Sequence, residues 1–67
     1  MSNKWITRKR KSLGLTQHQL AKKADVPFSR LSYAETNRIQ LTPDEVDRIE
    51  SVFRARVQIV MDSVLVG

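Results

Sequence analysis

The side chains best suited to binding chemistry in this 67-residue chain lie close together, between positions 28 and 33. This stretch supplies two aromatic rings, three hydroxyl groups and a guanidinium group, from Phe28, Ser29, Arg30, Ser32 and Tyr33. Such groups form hydrogen bonds and stacking contacts with a partner, but they do not pair a nucleophile with a general base. The sequence also lacks a glycine-rich phosphate loop, so it predicts a binding protein without catalytic residues or a small-molecule substrate.

The composition also argues against metal and disulfide chemistry. His18 is the single histidine and the chain has no cysteine, which removes the usual ligands of a structural metal site. We therefore expect neither a metal site nor a cofactor. A chain of this length forms at most one domain, over residues 1–67, and its small core needs close helix packing or oligomerisation for stability.

The positive charge is concentrated in the N-terminal part of the chain. Residues 1–40 hold nine of the twelve lysines and arginines beside two acidic residues, whereas residues 41–67 hold three basic and five acidic residues. A basic surface of this kind favours a polyanionic partner, although the basic run at 8–11 is also compatible with a plain solvated helix face. There is no secretory leader pattern and no apolar run long enough to cross a membrane, so a cytoplasmic protein without membrane contact is expected.

Local signals place two helices before the stretch at 28–33. The first is predicted from Lys4 to Leu13 and ends at Gly14, which suits a helix C-terminus. Thr16 and Gln19 have the spacing of a capping box, in which a hydroxyl group and an amide group each bond to a free backbone N–H. This predicts a second helix over 17–24.

Two more helices follow, separated by turn signals. The residues Asp25-Val26-Pro27 interrupt the helical pattern, and the third helix is predicted from about position 27 or 28 to Thr36, closed by Asn37 in a left-handed conformation. Thr42, a following proline and Glu45 mark the start of a fourth helix. Its inner face is predicted to carry Val46, Ile49 and Phe53.

The third helix has two distinct faces at about 100° per residue. Leu31 and Ala34 point to one side, where a core would lie. The opposite, outer side carries Ser29, Ser32, Tyr33 and Thr36, with Phe28, Arg30 and Glu35 at its flanks. Phe28 packing partly against the first helix, and Tyr33 merely covering the surface, are the plainer alternatives for these two rings.

The C-terminal residues 54–67 give a mixed signal. Their valines recur at helical spacing, but β-branched residues also favour strands, so a helix is preferred over a strand without settling the question. The apolar surface here exceeds what so small a core covers. We therefore expect a dimerisation segment, with an interface formed by Val57, Val60, Met61 and Val64.

The run TQHQLAKKADVPFSRLSYAETNR, residues 16–38, resembles the helix-turn-helix of the Xre/Cro type found in phage repressors. The matching positions are Thr16, Gln17, Leu20, Ala21, Ala24, Val26, Leu31, Ser32 and Glu35. With the flanking helices, the resemblance extends over about residues 4–53. The chain departs from the family pattern at Asp25, Pro27 and Asn37, where the family often has glycine, serine or threonine, and glycine.

This resemblance implies a compact, all-α, lambda-repressor-like domain of four or five helices that binds double-stranded DNA through the major groove. The implied base-reading residues are Phe28, Ser29, Arg30, Ser32 and Tyr33, and the implied contacts to the DNA backbone are Gln17, Thr36, Asn37 and Arg38. Arg10 and Glu35 each flank a core stripe, and the family often pairs these positions, so we expect an ion pair between them.

The function implied is that of a sequence-specific transcriptional regulator. The expected form is a homodimeric repressor of a phage or mobile element, bound to a palindromic operator in the nucleoid of a bacterial cell. Control of its own promoter is one form that this expectation includes. A protein-binding module, such as an antitoxin whose C-terminal segment docks a toxin, is the competing hypothesis. Self-association in solution separates the two, since it favours the dimeric repressor.

Overall fold

The computed structural model describes the backbone of residues 3–66 and the side chains of residues 3–56. Over that backbone the chain is entirely helical, without a strand, which confirms the predicted all-α class. The helices are α1 (Lys4–Ser12), α2 (Gln17–Ala24), α3 (Phe28–Glu35) and α4 (Pro43–Val66).

Both predicted capping boxes are present. Thr16 Oγ1 accepts a hydrogen bond from the backbone N–H of Gln19 at 3.1 Å, and Gln19 Oε1 accepts one from the backbone N–H of Thr16 at 2.9 Å. Thr42 and Glu45 make the same reciprocal pair at the start of α4, with distances of 3.2 and 2.9 Å. These bonds satisfy backbone donors that the first turn of a helix leaves free.

Three residues in left-handed conformations end the first three helices. Gly14 has φ 73°, Asp25 has φ 56° and Asn37 has φ 62°. Asp25 therefore adopts the conformation for which the family more often uses glycine, and the tight connection between α2 and α3 is kept. The backbone N–H of Val26 closes this turn with a 3.0 Å bond to the carbonyl oxygen of Ala21.

Each helix contributes one large, fully buried side chain to the core. These four side chains are Ile6, Leu20, Leu31 and Ile49. Val26 is buried at the turn between α2 and α3, and Phe53 extends the core along α4. Trp5 covers that end of the core with its ring edge-on to Phe53, at a centroid distance of 6.2 Å. The core thus fixes α3 by its inner side and leaves its outer side free of core contacts.

Helix α4 is the longest element, with 24 residues, or about 36 Å at 1.5 Å per residue. It continues to Val66, so the helical interpretation of the C-terminal segment is confirmed and the strand is not formed. The predicted interface side chains of Val57, Val60, Met61 and Val64 lie outside the described side chains. Over the described residues, no helix combines the length and the apolar character that a membrane span requires.

Candidate nucleic-acid interface

The outer side of α3 presents the residues that the sequence predicted to contact bases. Tyr33 is 48% exposed and Phe28 is 39% exposed, while Ser29 is exposed and Ser32 is half-buried. The opposite side is occupied by Leu31, Ala34 and Glu35, all buried. The eight-residue helix therefore separates a buried side from a polar and aromatic outer side, which we call the reading face: Phe28, Ser29, Ser32 and Tyr33.

Phe28 is held by a contact that the sequence did not indicate. Its ring stacks on the ring of His18 in α2, with centroids 3.8 Å apart and planes inclined by 5°. Phe28 thus packs on α2, a contact that neither the DNA-contacting role nor packing on α1 had predicted. The only sequence signal was that both residues are aromatic and near the turn, and this does not specify a stack.

Arg30 makes a bidentate ion pair with Glu45, which also forms the capping box of α4 with Thr42. Arg30 Nε donates to Glu45 Oε2 and Arg30 Nη2 donates to Glu45 Oε1, both at 2.7 Å. The hydrogen bond from Arg30, together with the backbone N–H of Thr42, lowers the pKa of Glu45 from 4.5 to about 2. The same hydrogen bond raises the pKa of Arg30. The sequence indicated Glu45 only as a helix cap and missed this second role.

Glu35 is the centre of a hydrogen-bond network that joins three helices. Its Oε2 accepts from Arg10 Nε at 2.9 Å. Its Oε1 accepts from Arg10 Nη2 at 3.0 Å, from Thr7 Oγ1 at 2.9 Å and from Gln17 Nε2 at 3.2 Å. Arg10 Nη1 also donates to the carbonyl oxygen of Leu15. The two residues predicted to pair are therefore in contact and buried between α1 and α3.

Burial raises the pKa of Glu35, but the hydrogen bonds from Arg10, Gln17 and Thr7 outweigh this effect, so that the pKa is lowered overall. Gln17, predicted to contact a phosphate group, here directs its side-chain amide to Glu35. Its backbone N–H lies in the first turn of α2, where helix N–H groups are free to bind an anion.

The residues after α3 form a compact turn beside Tyr33. Thr36 Oγ1 donates to the carbonyl oxygens of Ser32 and Tyr33, at 3.3 and 3.0 Å. Asn37 Oδ1 accepts from the backbone N–H of Asn3 at 2.8 Å, which ties this turn to the start of α1. The guanidinium carbon of Arg38 lies 6.0 Å from the centre of the Tyr33 ring, a distance at which a cation and an aromatic face attract each other.

Among the described side chains, no cluster of three or more potential metal ligands is found. The reading face thus offers hydroxyl groups and aromatic edges, and the cations of Arg30 and Arg38 lie next to it. These are the groups that contact base edges and phosphates in a groove. Its N-terminal residues are also those that a recognition helix directs at bases.

Comparison with known proteins gives one family match. Residues 6–59 match the family model described as helix-turn-helix, which covers most of α1, all of α2 and α3, and the first part of α4. No curated protein and no solved structure matches the chain.

Proposed function

Because the chain belongs to the Xre and lambda-repressor-like helix-turn-helix family of DNA-binding regulators, we propose that it is a dimeric repressor. It binds an inverted-repeat operator in double-stranded DNA and inserts α3 into the major groove. The observation that carries this proposal is the division of α3 into a buried side and an exposed reading face. A major groove is wide enough to admit an α-helix, so base edges in the groove can contact the reading face along its whole length.

Each part of the reading face has a role in this proposal. Ser29, Ser32 and Tyr33 approach base edges by hydrogen bonding, and Phe28 contacts a thymine methyl group. Arg30 reads a guanine at the border of the face. The stack on His18 and the cation beside Tyr33 support the proposal, because they restrict both aromatic rings before DNA arrives. A rigid reading residue loses less conformational freedom on binding.

The contacts to the DNA backbone are proposed at helix ends. Gln17 contributes its backbone N–H at the start of α2, with its side chain remaining on Glu35. Thr36, Asn37 and Arg38 line the turn after α3. Of these, Arg38 supplies a charge, which makes it the main neutralising contact in this turn.

Dimerisation is proposed through residues 54–67. The helical continuation of α4 to Val66 supports this proposal, since a helix that extends beyond the core-forming residues offers a surface for a second copy. Two-fold pairing of this segment sets the two α3 helices about 34 Å apart, one turn of DNA. The biological setting that fits is a phage or mobile element, with the protein acting on the nucleoid of the host cytoplasm.

Selection of bound sequences from a random pool of DNA duplexes tests this function. We expect enrichment of an inverted repeat whose half-sites are one helical turn apart. Light scattering of the protein alone should give the mass of a dimer. Failure to enrich any sequence would contradict sequence-specific binding, and a monomer that binds a single half-site would contradict the dimeric form.

A further inference from the structure

We propose that Glu45 is a positioning residue for DNA recognition, which holds the guanidinium group of Arg30 in one orientation at the border of the reading face. This inference rests on the proposed DNA-binding function and adds a residue outside α3 to its specificity. Glu45 itself contacts no base. It acts through Arg30, across the contact between α3 and the start of α4.

The geometry of the pair is the first support. A guanidinium group has five N–H groups in a rigid fork, and two parallel bonds to a carboxylate fix its plane. Nε and one hydrogen of Nη2 are used by Glu45. The Nη1 group and the second hydrogen of Nη2 have no partner within residues 3–56. These form the outer edge of the fork, which matches the O6 and N7 acceptors of a guanine.

The exposure of the two side chains is the second support. The Arg30 side chain is 40% exposed, whereas that of Glu45 is 11% exposed. One edge of the guanidinium group is therefore bound to a largely buried carboxylate, while the arginine side chain as a whole keeps a large exposed fraction. Arg30 also precedes Tyr33 by three residues, so the two side chains are neighbours on the helix surface.

Glu45 is itself firmly anchored. Its backbone N–H donates to Thr42 Oγ1, and its Oε1 accepts from the backbone N–H of Thr42 while also binding Arg30. A carboxylate at this place is further stabilised by the positive end of the α4 dipole. The anchor for Arg30 is thus a charged group fixed to a helix start, and not a mobile surface side chain.

Two consequences for DNA binding follow. An arginine held in one orientation distinguishes a guanine from other bases, whereas an unrestrained arginine also binds any nearby phosphate. The fixed negative charge of Glu45 in addition offsets the charge of Arg30, which weakens sequence-independent attraction to the duplex. Both effects raise the ratio of specific to non-specific affinity.

The test is the Glu45→Gln variant. Glutamine keeps the hydrogen bonds of the capping box, so α4 starts as before, but the charged partner of Arg30 is removed. Affinity is measured for the selected operator and for a scrambled duplex of equal length. We expect the affinity for the scrambled duplex to rise. The ratio of operator affinity to scrambled-duplex affinity should fall by roughly tenfold, which is the discrimination given by one good bidentate contact.

Asp44→Asn is the matched control. It removes one negative charge from the same helix turn, but Asp44 pairs with Arg48 and not with Arg30. Both affinities should rise together in this variant and leave their ratio unchanged. Arg30→Lys is a second variant that breaks the pair with Glu45, and it leaves the capping box and the net charge unchanged. Lysine cannot make a bidentate pair with Glu45, so the ratio of operator affinity to scrambled-duplex affinity should fall as in Glu45→Gln.

Combining Glu45→Gln with Arg30→Ala separates positioning from a general effect on stability. The ratio in the double variant should equal that of Arg30→Ala alone, because Glu45 acts only through Arg30. If Glu45→Gln keeps the ratio found for Asp44→Asn, the positioning role is wrong while DNA binding stands. If the unchanged protein binds neither duplex, the proposed function and this inference are both overturned.

Discussion

Replacing Glu35 should cost a large part of the stability of this domain. The Glu35 side chain is 3% exposed, that of its partner Arg10 is 10% exposed, and three side chains together donate four hydrogen bonds to the carboxylate. Glu35→Gln leaves a buried guanidinium group without its counter-charge, and removal of one partner from a buried pair costs about 3–5 kcal/mol. A domain of this size has about 3–10 kcal/mol in total.

The expected change is therefore easy to measure by thermal unfolding. A loss of about 3–5 kcal/mol lowers the melting temperature of so small a domain by at least about 12 °C. Arg10→Met should also destabilise, since it leaves the Glu35 carboxylate buried without its cation. Asp44→Asn, in an exposed pair with Arg48, is the control and should cost less than about 1 kcal/mol.

The effect should also depend on pH. The pKa of Glu35 is lower in the folded protein than its ordinary value of 4.5, so the charged carboxylate stabilises the fold above that pH. This stabilisation is lost as the pH falls through the folded-state pKa. The difference between the protein and Glu35→Gln should therefore be full at pH 7 and shrink below pH 4.5. Equal melting temperatures for Glu35→Gln, Arg10→Met and the unchanged protein at pH 7 would refute the reasoning.

Three further outcomes are expected. Tyr33→Ala should change the preference among single-base operator variants by about 1–3 kcal/mol at one base pair. An equal loss of affinity for every variant would mean that the ring stabilises the surface and does not recognise a base. Arg38→Ala should weaken binding to all duplexes alike and reduce the slope of log affinity against log salt by about one unit; a change in base preference would contradict a backbone role. Val60→Asp should convert the proposed dimer to a monomer in light scattering and weaken operator binding at the same time. A variant that stays dimeric would move the interface to another surface.

The helix boundaries could be predicted from the sequence because their signals are local. A capping box involves residues only three positions apart, and Thr16 with Gln19 or Thr42 with Glu45 determines the start of its helix almost independently of the rest of the fold. The left-handed conformation of Asn37 follows for the same reason, since few residues other than glycine tolerate it. The pairing of Arg10 with Glu35 could also be anticipated, because each flanks an apolar stripe that must face the core.

The contacts between the outer parts of different helices could not be predicted in the same way. The stack of His18 on Phe28, the bond from Gln17 to Glu35 and the pair of Arg30 with Glu45 all depend on how two helices approach each other. Helical periodicity gives the direction of a side chain around its own axis, but not the angle and offset of the neighbouring helix. The sequence therefore indicates only a DNA contact for Arg30 and does not reveal its carboxylate partner, Glu45.

These contacts, together with the predicted pair of Arg10 with Glu35, explain how so short a helix can present a defined reading face. An isolated helix of eight residues is not stable in water, so tertiary contacts must hold α3 in place. Glu35 holds its last turn against α1 and α2 from the buried side, and Glu45 holds Arg30 in its first turn from α4. The first carboxylate is buried among four donors, so its loss acts through unfolding. The second binds an arginine whose side chain is 40% exposed, so under the proposal above we expect its loss to act on the choice of DNA sequence while the fold persists.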